Sequence, residues 1–391
     1  MKLLKRINWL NTIFILFLTP IVSIVGLVYM VHTGDMHLAT WLLGFFMLSA
    51  GGFSITVGYH RLFSHRSYKA AWPIRLILAL FGAAAFQGSI LEWCTDHRNH
   101  HLYTDTDKDP YDIKKGFWFA HIGWLLVLDH STRDFSNVEE LAKDPIVKYQ
   151  HKYYVPIALF MGLVLPMAVA AFWGDALGGL IIGGFLRTVL NHHATFAINS
   201  VCHMFGKRDY SEKQSARDNW FTAIFTFGEG YHNFHHQFPI DYRNGVRYYH
   251  YDPTKWIIRS LSYVGLASDL KRVDEHRILR YKLIKEEADI MGRINRYSAN
   301  LMSQVNDFVK PIYDQILEQM DHINEIKASY KKLKKEKVDS VKGKMDEYKT
   351  LLKAHKLKLK LAKVELQKNL ALWKSFVNAD KRALASLSQM A

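Results

Sequence analysis

Cysteine is nearly absent from this chain. Cys94 and Cys202 are its only two, too few for a disulfide framework, and no Cys-x-x-Cys pair is available for structural zinc or thiol redox chemistry. A reducing compartment is therefore expected. Charge is also missing, in a patterned way. Four runs carry almost none of it, and each is close to the ~20 residues that cross a bilayer core: Asn8 to Val31, Leu38 to Gly58, Tyr154 to Trp173 and Leu177 to Val201. These runs exclude a purely soluble globular protein. The first has no small-residue cleavage site and is soon followed by a second, so it is read as a retained span rather than a signal peptide.

The charge is gathered at the other end. Residues Lys271 to Ala391 hold 27 Lys+Arg against 16 Asp+Glu, so 11 of the net +15 lies there. The expected fold is all-α, with a membrane domain over 1–270 and a basic, coiled-coil-like cytoplasmic tail over 271–391. In the tail Leu301, Val305, Phe308, Ile312, Ile316, Met320, Ile323, Ile326, Tyr330 and Leu333 recur at three- and four-residue steps, and Val338, Val341, Met345, Tyr348 and Leu352 continue them. This pattern predicts a helical hairpin or self-association. The Lys331–Lys337 run reads as a solvated face, with attraction to anionic lipid second. Nucleic acid is not an expected partner, because no recognition module accompanies the charge.

What the chain has in abundance is histidine. Eight of its twenty fall in three short boxes: His60-Arg-Leu-Phe-Ser-His65, His97-Arg-Asn-His100-His101 and His232-Asn-Phe-His235-His236. Neutral imidazole is the commonest ligand of transition metals. Eight rings exceed the three or four that one tetrahedral ion takes, so two ions are the simplest expectation. On a helix His97 and His101 stand one turn apart, while His100 and His101 diverge by about 100°, so one short motif can address two ions.

Metal binding constrains topology. The turns His32–His37 and Gly174–Ala176 lack Lys and Arg, whereas Lys2, Lys5 and Arg6 precede the first span and Arg61, Arg66 and Lys69 follow the second. The positive-inside rule then puts both termini and all three boxes in the cytoplasm. A fifth apolar stretch, Ile74 to Leu91, lies between the first two boxes. If both serve one cluster it must not cross, and it is assigned to a buried or interfacial helix. By this topology His32 and His37 lie on the opposite face and are excluded as ligands; His121 and His130 are taken as structural or supporting residues.

The boxes and their flanks resemble the integral-membrane fatty acid desaturases, most closely the acyl-CoA delta-9 (stearoyl-CoA desaturase-like) branch. The resemblance rests on Gly58-Tyr59-His60-Arg61-Leu62, Glu92-Trp93 before Asp96-His97-Arg98, Thr104-Asp105-Thr106-Asp107-Lys108-Asp109-Pro110, Gly116 to Trp124, Asn199-Ser200 before His203, and Gly228-Glu229-Gly230-Tyr231-His232. It spans roughly Leu10 to Trp256 and stops before the tail. It implies a di-iron centre with His203 as a ninth ligand: one iron on His60, His65, His101 and His236, with Asn199 holding a water there, and the other on His97, His100, His203, His232 and His235. It further implies an acyl tunnel lined by Trp93, Gln87 and Thr195.

Taking hydrogen from an unactivated C–H bond is beyond any side chain, so an oxidised metal must do it, with the protein supplying position and dryness. The expected reaction is O2-dependent insertion of a cis double bond into a saturated acyl chain carried on coenzyme A or lipid. Soluble di-iron proteins use paired Glu-x-x-His motifs; here Glu229–His232 is a single instance, so Glu229 is expected to orient a ligand histidine. Asp105, Asp107 and Asp109 imitate a calcium loop, but Pro110 and Gly116 occupy the positions that need Gly and Glu. Arg98, Lys114 and Lys115 are candidates for the carrier's phosphates, with lipid headgroups as the alternative. None of the nine prolines follows a histidine, so the His-Pro-Gly-Gly haem motif of relatives with a fused cytochrome b5 is missing. Electrons are expected from a separate ferredoxin or cytochrome b5, at a bacterial inner membrane or the endoplasmic reticulum. The rival readings are a membrane acyl or alkane hydroxylase with a similar di-iron site, a metal transporter, and a catalytically silent scaffold.

Overall fold

The computed structural model describes residues 7–127, 134–294, 299–338 and 345–379; His130 lies outside them. The chain divides into two compact units, Met1–Val273 and Asp274–Ala391. Both are helical. Among the described residues the only strands are Lys69–Ala70 and Ala267–Ser268, which pair antiparallel.

Three helices of the first unit are long and apolar enough to cross a membrane: Trp9–Thr33, Leu38–Ser64 and Tyr154–Ala171. Their outward side chains are apolar, as at Ile24, Val28, Leu42 and Phe45, a surface that water would not tolerate at this extent. The fourth expected span lies within a continuous helix over 176–204. It is less apolar than the other three because it carries Arg187, Asn191, His192 and Asn199. The fifth apolar stretch is the helix Trp72–Ala84, 13 residues long. That is about 20 Å, too short to cross a ~30 Å core. It stops earlier than the sequence pattern suggests because the chain turns sharply through Phe86 (φ 54°) and Gly88 (φ 90°). Ser89 then caps a new helix, Ile90–Tyr103, in a reciprocal capping box with Glu92.

Arg187 explains how that short helix ends inside the protein. Its guanidinium donates to the carbonyls of Ala84 (2.6 Å), Gly162 (2.9 Å) and Gly183 (2.9 Å), and His192 Nε2 lies 3.0 Å from the Ala85 carbonyl. The last carbonyls of a helix have no partner of their own and carry partial negative charge. A buried cation is the complement they need, so Arg187 faces the bundle interior and not lipid.

A core of Ile55, Tyr59, Leu62, Phe63, Ile90, Leu91 and Cys94 joins Leu38–Ser64 to Ile90–Tyr103. It locks the first histidine box against the second.

In the second unit the helices Glu275–Ile294, Ala299–Val338 and Met345–Asn378 share a core of Leu283, Ile290, Val309, Tyr313, Ile316, Met320, Ile323, Leu366, Trp373 and Phe376. The seam of the middle helix runs Val309, Tyr313, Ile316, Met320, Ile323. It matches the expected register from Ile316 onward; Val309 and Tyr313 continue its 4-3-4-3 line, Ile312 packs against it partly buried, and the Phe308 side chain lies outside the described residues.

Replacing Arg187 with Leu leaves buried carbonyls without a donor, each costing about 1–3 kcal/mol. Thermal unfolding in detergent is expected to show Tm lowered by several degrees, and Arg187→Lys to restore little of it, since one ammonium cannot span three carbonyls in this planar arrangement.

Candidate metal centre

Local helix geometry sorts the histidines. Along Leu38–Ser64 the segment Ser54–Ser64 winds as a π-helix, and the His65 amide closes an i→i+5 bond on the His60 carbonyl at 3.0 Å. Residues five apart would diverge by about 140° in an α-helix; the wider winding brings them nearly into line. The His60 and His65 ring centroids are 4.8 Å apart. In Ile90–Tyr103, His97 and His101 are one α-turn apart and share a face, while His100 points elsewhere. In the short helix His232–Gln237, His232 and His236 share a face and His235 diverges in the same manner.

The result is two groups of convergent nitrogens. His60, His65, His97, His101 and His235 form one, and His100, His203, His232 and His236 the other; within each, the donor atoms lie within 4.8 Å of one another. The nine histidines named from the sequence are thus brought together, but not in the split that resemblance implies. His97 and His235 belong with His60 and His65, and His236 belongs with His100. The reason is the α-helical period: i and i+4 rings must face one way and the ring between them another. Asn199 precedes His203 by one turn and lines the cavity that His60, His97, His100 and His232 also border.

The donor set fits cations. His235 Nε2 is 3.0 Å from His60 Nε2 and 2.9 Å from His101 Nε2; His236 Nε2 is 3.2 Å from His100 Nε2 and 3.0 Å from His232 Nε2. A ring nitrogen carries either one proton or one lone pair, so it cannot satisfy two facing nitrogens. An ion between them can. Nitrogens bound at about 2.1 Å and at right angles to one another stand about 3.0 Å apart. Burial, and after it the neighbouring rings, hold His97, His101, His232, His235 and His236 well below the usual imidazole pKa. They stay neutral, the form that ligates.

The outward nitrogens are held as well. His60 Nδ1 lies 2.8 Å from Glu229 Oε2, His100 Nδ1 2.9 Å from Asp109 Oδ1, His236 Nδ1 2.9 Å from Gln214 Oε1, and His203 Nδ1 2.7 Å from Ser215 Oγ, which in turn donates to Asp105. Such partners fix the tautomer and aim the ring. Glu229, expected from the sequence to orient a ligand histidine, is the carboxylate beside His60. Burial would raise its pKa, but the Arg61 guanidinium, followed by His60, holds it below the ordinary carboxylate range. Arg61 is fully enclosed and donates to Glu229 (2.8 Å), Asp252 (3.0 Å) and the Tyr242 carbonyl (2.8 Å).

Asp105, Asp109, Gln214, Ser215 and Asp252 were not singled out as supports of the centre. The first two lay in plain view in the string that mimics a calcium loop, whereas Gln214 and Ser215 sit in a polar loop with no spacing signal.

Beside both groups lies a cavity of about 550 Å³, within the usual range for small-molecule sites. His60, His97, His100 and His232 are part of its wall, with Phe14, Ile55, Phe86 and Leu159 supplying apolar surface. Trp93, Gln87 and Thr195 also line it and are linked: Trp93 Nε1 donates to Gln87 Oε1 (3.3 Å) and Gln87 Nε2 to Thr195 Oγ1 (2.9 Å). Trp93 stacks on His97 with centroids 4.8 Å apart. Arg98 does not serve as a phosphate ligand here. Its guanidinium is committed to the carbonyls of Ser64, Phe63 and Asn137 and to Glu140, where it fastens box two to box one. Lys114 and Lys115 sit exposed on the turn Ile113–Lys115. His121 contacts Ser200 and His193 and joins neither group.

Fold and site together define a helical protein with helices of membrane-spanning length and nine histidines in two clusters, compatible with a metal site, beside a partly apolar cavity. The family model for "Fatty acid desaturase" matches residues 39–268. The chain belongs to that family. It is 44% identical over 291 residues to the probable acyl-CoA desaturase of Schizosaccharomyces pombe, covering 74% of this chain and 60% of that one. It is 42% identical to acyl-CoA desaturase 1 of Saccharomyces cerevisiae, covering 76% and 57%. Against stearoyl-CoA desaturase 5 of Bos taurus it is 39% identical, covering 70% and 82%. The chain thus spans about three fifths of the two yeast relatives' length.

Asp109 and Asp107 offer a matched comparison. Asp109→Ala removes the partner of His100 and is expected to weaken metal retention about 10- to 100-fold, read by competition with a chelator. Asp107→Ala, at an exposed carboxylate two residues away, is expected to leave it unchanged.

Proposed function

We propose that this chain is an O2-dependent fatty acyl desaturase that places a cis double bond, at the delta-9 position, in a saturated acyl chain carried on coenzyme A. The observation that carries this reading is the junction of the two histidine groups with the cavity: an oxidising centre and an apolar slot share a wall. The curated relatives' names point to the same substrate class. In this reading each group holds one iron, His60, His65, His97, His101 and His235 the first, and His100, His203, His232 and His236 the second, with Asn199 positioning a water. Two such irons, reduced by an external donor and supplied with O2, provide the oxidising power that removal of two hydrogens from a C–C pair requires.

The chain's own residues do the rest. The cavity wall excludes water and holds the acyl chain at one depth, which sets the position of the bond by geometry rather than by polar recognition. Trp93, fixed by Gln87 and by its stack on His97, keeps the wall close to the ring nitrogens. The Gln87–Thr195 bond ties the Ala85–Ser89 turn to the 176–204 helix and shapes the bend of the slot. Glu229, Asp109, Gln214 and Ser215 keep the rings in their ligating tautomers. Lys115, and Lys114, whose ammonium also donates to the Asp105 carbonyl (2.6 Å), offer cations to the phosphates of the acyl carrier.

The topology we favour has four spans, the 176–204 helix being the fourth. The centre and both termini are then cytoplasmic, and residues 1–270 act as the catalytic domain in a bacterial inner membrane or the endoplasmic reticulum. A ferredoxin or cytochrome b5 type protein supplies electrons. The fourth span carries polar residues because its inner face supports the cavity and Arg187 caps the Trp72–Ala84 helix.

Expression in a host deficient in unsaturated lipids, followed by mass spectrometry of double-bond position, is expected to show a new cis alkene at carbon nine, and none with His236→Ala. An alcohol in place of the alkene would assign the chain to the hydroxylases, and alkene formation by His236→Ala would contradict the ligand set.

A further inference from the structure

The helix Met345–Asn378 uses only one of its faces within the second unit. Leu366, Trp373 and Phe376 are buried against Val309, Tyr313 and Ile316. On the opposite side Leu357, Leu361, Val364 and Leu372 form a row, exposed by 58, 60, 44 and 42%. The steps of four, three and eight keep them on one line down the helix. Lys368 stands in the gap of eight. A soluble bundle has no reason to keep four large aliphatic side chains in line in water.

The charge around the row says what covers it. From Leu351 to Ser375 there are seven lysines, Lys353, Lys356, Lys358, Lys360, Lys363, Lys368 and Lys374, against one acid, Glu365. A second copy of this face would set two such cationic surfaces against each other, with Lys368 in the middle of the seam. An anionic lipid surface meets both features. The leucines enter the boundary between headgroups and acyl chains, and the lysines extend their stems along it and place their ammonium groups among the phosphates.

We propose that the outer face of Met345–Asn378 is a docking surface for an anionic phospholipid bilayer. The inference rests on the reading that residues 1–270 span a membrane, which keeps this helix near a bilayer at high effective concentration. The tail is then a charge-gated membrane contact of the same molecule. It responds to the lipid composition of the bilayer in which the first unit sits.

The test uses the full chain in nanodiscs. Native Cys94 and Cys202 are buried, so a spin label is directed to Leu361→Cys, with Asp321→Cys on the neighbouring helix as the reference. In discs containing phosphatidylserine, the label at 361 is expected to become several-fold less accessible to a water-soluble nickel chelate and more accessible to oxygen, with the label at 321 unchanged. The combination Lys353→Gln, Lys356→Gln, Lys360→Gln and Lys363→Gln, all at exposed positions, is expected to abolish that protection, as is 1 M salt, which shortens screening to about 3 Å.

A label at 361 equally open to nickel with and without anionic lipid overturns the proposal. So does protection in neutral discs or detergent that grows with protein concentration, which would assign the face to a second copy. Failure of desaturation in the host assay alongside lipid-dependent protection would count against the enzymatic reading alone.

Discussion

Everything at the centre depends on nine imidazoles, most of them buried, being aimed with their Nε2 atoms at one another. Such an arrangement is unstable for bare rings, because lone pairs converge and one ring nitrogen cannot serve two neighbours. Three structural provisions make it tenable. Helical winding places each ring in its group, a cation can occupy the convergence, and carboxylate, amide or hydroxyl partners hold the outward nitrogens of four rings from behind. The π-wound segment Ser54–Ser64 is part of the same design. It lets a box with four intervening residues do what the other two do with three.

The supports are themselves connected. Glu229 reaches His60 on one side and Arg61 on the other, and Arg61 carries the link to Asp252 and Tyr242. Asp252 also accepts from the Lys255 amide at the start of the helix Pro253–Tyr263. One buried cation therefore couples the first histidine box to the segment after the third. Replacing Arg61 would strand two buried carboxylates, a cost of roughly 3–5 kcal/mol for a broken buried pair, and would misplace His60 at the same time. Arg98 works similarly on the other side. A cation suited to phosphate is used instead to gather three carbonyls, so that the second box cannot drift from the first.

The second unit obeys a different economy. Its inward core is continuous and apolar, whereas the outer row on Met345–Asn378 is apolar within a strongly cationic surround. In the first unit Arg61 and Arg187 are buried, the one paired with carboxylates and the other set against carbonyls. Along Leu351 to Ser375 the lysines are exposed and opposed by one acid, the distribution of a surface suited to negative charge.

Much of this was legible in the chain itself. The all-helical class, the apolar stretches, the eight boxed histidines and Glu229 follow from residue type, period and motif, which are local properties, whereas His203 and the trio of Trp93, Gln87 and Thr195 are implied by the family resemblance. The sequence also contained the rule that i and i+4 rings share a face, yet the split of ligands drawn from resemblance ran against it. Backbone winding in place resolved the conflict. The place of Asp105 and Asp109 behind the histidines cannot be read from the calcium-like string, since it depends on where Ser215 and His100 lie in space. From sequence Arg98 reads as a candidate phosphate cation, and only its neighbours show a clamp on carbonyls. The sequence by itself determined which residues can bind metal and which stretches avoid water, because chemistry and periodicity are carried by each segment alone. Tertiary structure alone decided which nitrogen faces which, and what holds each from behind, because those pairings join separate segments, some of them, as in His60–His235 and His101–His235, more than a hundred residues apart, and exist only once the helices have packed.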